Sequence, residues 1–442
     1  MNQKVIFWSV ITALGGFLFG FDTVVVSGAE QALQKYWHLG DFQQGFTIAI
    51  ALVGTMVGAF GGRMPADKLG RKVALMIVAL IFLVTSLGTA FATNWYLFVI
   101  LRFIGGLGIG ASSVIAPVYI TEISPASYRG RLVILFQGNI VLGIVLALLS
   151  NYIIVLSYHG SWRLMMAVMA APSLLYLILL RFVPESPRWL ILHKARYDDA
   201  KETLKVMNPN DYEQEMQSIV NSKNEEVKDS SSEKLFSKRY RRLGWLAFLI
   251  AFFNQVSGIN AILYYAPSIF TLAGFSKNDS FSASFYLGLV NFVFTMLAIF
   301  LIDRAGRRKL MLIGSYGLIL SLGLVSYCFH LKNADGHYVI WLLMAYIAFF
   351  AISQGAVIWV FLSEIFPNQV RAKGQSLGSF THWFMATVIT FLFPAVRTNI
   401  PGEYIFMFFC AMMVLQLLFV WKMMPETKGK SLENMERSLT IH

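Results

Sequence analysis

Apolar residues in this chain gather into long runs broken by short polar stretches, and most runs reach the roughly 17–25 residues that a helix needs to cross a bilayer. Twelve are read, at approximately 5–29, 42–62, 73–91, 95–121, 132–156, 164–180, 243–275, 280–302, 310–331, 338–363, 376–396 and 404–421. Six precede the polar stretch 183–242 and six follow it. The pattern predicts an all-α membrane protein of twelve transmembrane helices. It divides into a six-helix bundle over 1–182, a cytoplasmic linker over 183–242, a second six-helix bundle over 243–424 and a cytoplasmic tail over 425–442. Within the linker, Trp189, Leu190, Leu192, Ala195, Ala200 and Leu204 lie among charges, which suits short amphipathic helices. Residues 221–234 cluster Asn, Ser, Lys and Glu and read as a flexible connector.

Three charged motifs then occur twice, each time roughly 240 residues apart. Asp67-x-x-Gly70-Arg71-Lys72 returns as Asp303-x-x-Gly306-Arg307-Arg308, and Glu122-Ile-Ser-Pro125 with Arg129 returns as Glu364-Ile-Phe-Pro367 with Arg371. Pro184-Glu185-Ser186 returns as Pro425-Glu426-Thr427. The two bundles are therefore pseudo-symmetric copies, an architecture in which secondary transporters bind substrate near the bilayer midplane. The charges Asp67, Arg71, Glu122, Arg129 and Glu185 mirror Asp303, Arg307, Glu364, Arg371 and Glu426. Exposed pairs of this kind are worth about 0–1 kcal/mol. Carboxylates recurring beside arginines argue for more, a cytoplasmic gate whose charges pair between halves in one state and part in the other.

Composition agrees, with 57% hydrophobic and 14% charged residues against about 25% charged in an average soluble domain. The net charge of +12 calls for no nucleic acid. With both termini cytoplasmic, inner segments hold 30 of the 36 Lys and Arg, as the positive-inside rule demands, and these face anionic lipid headgroups. The apolar run after Lys4 lacks a small-residue cleavage pattern and reads as a retained first span. Cys328 and Cys410 both lie in apolar segments, so neither a disulfide framework nor a metal site is indicated.

A charge at the centre of a membrane helix costs about 2.5–3.5 kcal/mol on insertion scales, so each needs a reason. Asp22 sits in the first span and Arg102 in the fourth, ahead of Gly105, Gly106, Gly108 and Gly110. The pair reads either as an ion pair that fixes packing or as a protonatable carboxylate with its counter-cation, and the second reading is favoured. Amides form a second group: Asn254, Gln255 and Asn260 around Ser257-Gly258 in the seventh span, Asn291 in the eighth and Gln137 in the fifth. Amides both donate and accept, as a polyhydroxylated ligand requires, although membrane amides also glue helices together. Gln255 and Asn260 lie five residues apart, about 140° on a regular helix, so a break at Ser257-Gly258 is needed to converge them. Trp359 and Trp383 offer flat apolar faces with one donor each.

Together these residues resemble the sugar porter branch of the major facilitator superfamily, from about Leu14 to Leu432. The likeness is carried by Gly61-Gly62-Arg63-Met64-Pro65-Ala66-Asp67-Lys68-Leu69-Gly70-Arg71-Lys72, Pro184-Glu185-Ser186-Pro187-Arg188, Gln255-Val256-Ser257-Gly258-Ile259-Asn260 and Pro425-Glu426-Thr427-Lys428-Gly429. The resemblance implies two bundles rocking around a sugar held by Gln137, Gln255, Asn260, Asn291 and Trp359. It also implies that Asp22 is the acid of proton-coupled members and Arg102 its partner. Three positions depart from the family pattern. Asn254 stands for a first glutamine, His382-Trp383 for an amide-Trp pair, and Gly355-Ala356 for Gly-Pro. The expected protein is a monomeric importer of a monosaccharide, hexose or pentose, with a proton, in a bacterial inner membrane. It needs no cofactor and is not an enzyme, since no paired catalytic carboxylates or metal ligands gather at one membrane face. Facilitative uniport, with Asp22 serving packing alone, is the nearest alternative. Drug–proton antiport fits the fold but not the amides. A membrane sugar sensor is expected to need a longer tail than 425–442.

Overall fold

The computed structural model describes residues 2–226, 235, 237, 240–331, 336–367 and 370–429. Most of the expected connector at 221–234 and the tail beyond 429 lie outside them. Every regular element among the described residues is helical, and twelve helices are long and apolar enough to cross a bilayer. They run Gln3–Tyr36, Asp41–Gly61, Arg71–Ala90, Trp95–Glu122, Arg131–Ser157, Trp162–Phe182, Arg241–Tyr264, Lys277–Ala305, Arg307–His330, Gly336–Glu364, Lys373–Asn399 and Gly402–Lys422, referred to below as the first to twelfth spans. Large side chains such as Phe60, Phe300, Leu320 and Trp421 stand more than half exposed on them, the surface of a protein whose solvent is lipid.

The first span departs most from the hydrophobic pattern. Its 34 residues make a helix about 50 Å long at 1.5 Å per residue, continuing past the charge at Glu30 to Tyr36. Short helices join the spans at Arg63–Leu69, Tyr197–Met207 and Tyr212–Glu226. In the linker Trp189, Leu190, Ala200 and Leu204 are buried, whereas Leu192 is half-buried and Ala195 exposed. Pro187 opens a further short helix behind Ser186, whose hydroxyl accepts the Trp189 N–H at 3.1 Å, the cap that a freed helix N-terminus requires.

The chain packs as two compact units, Met1–Ala29 with Ile50–Ser231, and Glu30–Ala49 with Ser232–His442. In the first unit the second and fourth spans touch backbone to backbone. A Cβ on Gly106 would lie 2.1 Å from the Ala51 carbonyl, and one on Gly110 2.1 Å from that of Thr55. Lipid tails are as apolar as leucine, so close packing of small residues, not exclusion from water, holds such helices together. In the second unit Leu246, Ile250, Phe253, Phe361, Phe366 and Phe419 form a core among the seventh, tenth and twelfth spans.

Candidate functional site

A charge pair is buried in the first unit. Arg102 Nη1 donates to Asp22 Oδ1 at 2.7 Å, and the two side chains are 2% and 7% exposed. The pair is used by halves. Asp22 Oδ2 and Arg102 Nε are buried, and no hydrogen-bond partner is found for either among the described residues. A stranded buried polar group costs about 1–3 kcal/mol, so a fixed structural pair gains by becoming bidentate. This one leaves a carboxylate oxygen open.

A second group forms in the second unit, where the seventh span is not a continuous helix. Arg241–Val256 ends at Ser257, Gly258 takes φ +89°, and a new helix runs Ile259–Tyr264. Only glycine holds that backbone angle without strain, and here a Cβ would also meet the Phe409 ring at 2.7 Å. Tyr346 Oη donates to the Ser257 carbonyl at 3.0 Å, and Ser257 Oγ to the Asn254 carbonyl at 2.7 Å, satisfying backbone near the break. The break brings the expected amides together: Asn260 Nδ2 donates to Gln255 Oε1 at 2.7 Å, and Gln255 Nε2 to Asn254 Oδ1 at 2.9 Å. Gln255 Nε2 also lies 3.2 Å from His382 Nδ1. An amide N–H can donate only to an unprotonated ring nitrogen, so this contact suits a neutral imidazole. The His382 ring packs 5.0 Å from Trp359 and 5.0 Å from Trp383, centroid to centroid. Amides, imidazole and two indoles thus share one patch.

Two predicted residues belong to other spans. Asn291, on the eighth span, accepts from Thr295 of its own helix at 3.4 Å. Gln137 is half-buried on the fifth span, in the first unit. The intramembrane charges also include one that sequence reasoning missed. Glu30, 1% exposed, accepts from Gln44, from Ser268 Oγ at 2.5 Å and from Arg397 Nη2 at 3.4 Å, all within the second unit. Its signal was available, a carboxylate one residue past the expected end of the first span. With three donors upon it, this carboxyl is held in place, whereas that of Asp22 is left half open.

The repeated charges build one clamp twice. Arg71 Nε and Nη2 donate to Glu122 at 2.9 and 3.2 Å, and Nη1 to the Ala66 carbonyl at 3.1 Å. Arg307 repeats this with Glu364 at 3.1 and 2.8 Å and the Ile302 carbonyl at 3.1 Å. Asp67 and Asp303 add ion pairs at 3.2 and 3.1 Å. Gly70 and Gly306, at φ +99° and +90°, start the third and ninth spans, and a Cβ on either would strike the carboxylate of Glu185 or Glu426. Those carboxylates accept the first N–H groups of the helices, Arg71 at 3.0 Å and Arg307 at 2.9 Å, where the helix dipole favours negative charge. Arg129 reaches Glu215 of the linker at 3.2 Å, and Arg371 donates to the Phe366 carbonyl at 3.3 Å. In this structure these bonds close within each half, with Glu122 or Glu364 and a helix carbonyl occupying the guanidinium fork.

The two clamps differ in charge balance. Burial pushes the Glu185 carboxyl above its usual range, against the Ser186, Lys72 and Arg71 N–H groups. Burial also pushes Glu426 upward, but the N–H groups of Lys428, Arg307, Arg308 and Thr427 outweigh it and leave the group below the usual range. A carboxyl depressed on folding stabilises above its unfolded value of about 4.3 and loses that contribution as pH falls through the folded value. A raised carboxyl does the reverse. The melting-temperature gap between the wild type and Glu426→Gln in detergent should therefore be widest near neutral pH and close below about pH 4. Glu185→Gln should cost least near neutral pH. A Glu426 gap that widens on acidification would refute the assignment.

The sequence matches the family model of sugar (and other) transporters over residues 8–439. It is 36% identical over 443 residues to the arabinose-proton symporter of Bacillus subtilis, covering 98% of this chain and 94% of that one. It is 34% identical over 443 residues to a glucose transporter of Staphylococcus epidermidis, covering 99% and 97%. The xylose transporter of Escherichia coli, solved in an inward-open conformation, superposes with a TM-score of 0.86 at 32% identity, covering 98% and 99%. The twelve helices thus form the major facilitator fold. The chain is an integral membrane protein, not an enzyme, and belongs to the family of sugar transporters.

Proposed function

We propose that the chain imports a monosaccharide, a hexose or a pentose, together with a proton, by alternating access in a bacterial plasma membrane, both termini cytoplasmic. The relatives that carry arabinose with a proton, and glucose, support the substrate class. Gln255, Asn260, Asn254 and His382 supply donors and acceptors to the hydroxyls, Trp359 and Trp383 the apolar face, and Gln137 and Asn291 further contacts. The observation that carries symport is the open oxygen of Asp22. A proton added to Oδ2 leaves the Oδ1 contact sterically intact while cancelling the charge that attracts Arg102. Freed Arg102 then seeks other acceptors, and the two transport states shift in relative energy, as a coupling ligand requires. The repeated clamps stiffen the helix ends, which serve as the cytoplasmic gate.

The test is uptake of labelled D-xylose, L-arabinose, D-glucose and D-galactose by proteoliposomes, with and without an inside-alkaline pH gradient. Accumulation of at least one sugar that depends on the gradient is the expected result. Uptake that only equilibrates, whatever the gradient, would mean uniport, and uptake of none would sink the reading. Gln255→Ala should weaken sugar affinity about two- to tenfold, the value of one hydrogen bond. Unchanged affinity would remove Gln255 from the sugar site.

A further inference from the structure

Behind the amide patch runs a buried polar chain that the sugar-binding reading does not use. Gln416 on the twelfth span and Gln354 on the tenth are 0% and 1% exposed. Gln416 Nε2 donates to Ser315 Oγ of the ninth span at 3.0 Å, and Gln354 Nε2 donates to Gln416 Oε1 at 2.7 Å. Gln354 belongs to a π turn, Ala351–Gly355, where the tenth span widens; such turns recur at functional sites. The backbone carbonyl of Gln354, within that turn, accepts from Asn254 Nδ2 at 3.3 Å.

From there the donor and acceptor pattern is forced. A carbonyl can only accept, so Asn254 must turn its nitrogen toward the tenth span and its oxygen toward Gln255. Gln255 must then present nitrogen to Asn254 Oδ1, which directs its own oxygen to Asn260 Nδ2, at 2.7 Å. Its second N–H faces His382. Reversing any one amide sets two donors or two acceptors against each other, at a buried cost of about 1–3 kcal/mol per stranded group. We infer that Gln416 and Gln354 are positioning residues: by anchoring the π turn they place the backbone carbonyl against which Asn254, Gln255 and Asn260 order their donors and acceptors toward the sugar. Neither touches the sugar. They determine which hydroxyl stereochemistry the patch prefers.

This inference rests on the sugar-site reading, and the experiment separates the two. Initial uptake of D-xylose, L-arabinose, D-glucose and D-galactose is measured in proteoliposomes for the wild type, Gln416→Leu, Ser315→Ala and Gln255→Ala. For Gln416→Leu we expect KM for the best sugar to rise about two- to tenfold, kcat to stay within about twofold, and the preference between the C4 epimers in each pair to shrink. Ser315→Ala, which removes only the far anchor, should move the same ratio by less. A merely structural role would lower the amount of active protein without changing KM or the epimer ratio. Wild-type KM and epimer ratio in folded Gln416→Leu would overturn the inference. If that variant does not fold, an unchanged epimer ratio in Ser315→Ala overturns it. Gln255→Ala without effect, or uptake of none of the four sugars, would instead overturn the sugar-site reading beneath it.

Discussion

Asp22→Asn is expected to abolish accumulation of sugar against its gradient while leaving sugar binding and exchange in place. Asparagine keeps the shape of the protonated carboxyl, so Arg102 meets the same steric surround at the 2.7 Å contact, but the side chain has no proton to take up or release. A gradient of one pH unit stores about 1.4 kcal/mol per proton, enough for about tenfold accumulation. The wild type should approach that ratio in proteoliposomes and the variant should stop at unity, with counterflow of preloaded sugar preserved. Arg102→Ala should be worse, since it leaves a carboxylate 7% exposed without its cation, a loss of about 3–5 kcal/mol when a buried pair is broken from one side. Asp22→Asn that still concentrates sugar would reduce Asp22 to a packing residue.

Arg71→Ala should be the most damaging change at the helix ends. It removes both bonds to Glu122, whose side chain is 9% exposed, and the bond to the Ala66 carbonyl. The stranded carboxylate again puts the loss at about 3–5 kcal/mol, a large part of the 5–15 kcal/mol that holds a typical domain together. Arg71→Lys should recover only part, because an ammonium cannot occupy both carboxylate oxygens as the planar fork does. The double variant Arg71→Met, Glu122→Gln should melt above Arg71→Ala, since no charge is left unpaired. Thermal melts of the four proteins in one detergent give the comparison. If the double variant is the least stable, the clamp's value lies in the bonds themselves and not in charge burial.

The parts of this molecule that sequence disclosed are those fixed by local chemistry. Twelve helices followed from run length, and the break in the seventh from Ser257-Gly258 between two amides that a regular helix would hold apart. The repeated motifs that open at Asp67 and Asp303 disclosed the charges of the clamps, though not which bonds they make. What stayed hidden depends on distant residues meeting. Glu30 marked the end of the first span in the hydrophobic pattern, yet the helix continues because Gln44, Ser268 and Arg397 satisfy the charge, and Arg397 lies 367 residues away. Gln416 is a lone amide in an apolar run, and only the packing of the ninth, tenth and twelfth spans gives it partners. The bonds of the clamps were hidden for a similar reason, because helix geometry sets which carboxylate an arginine reaches.

The capping of Arg71 by Glu185 spans 114 residues, and that of Arg307 by Glu426 spans 119. A ribosome adding about 5–20 residues per second needs on the order of 10 seconds to cover either interval. Throughout that time the third or ninth helix stands at the membrane face with its first N–H groups uncapped, and its glycine has no carboxylate to shield. Each half therefore locks only as its own last helix is delivered, so the first can finish maturing while the second is still being threaded into the bilayer. A stalled or truncated half should be recognisable to quality-control proteases by that open helix end.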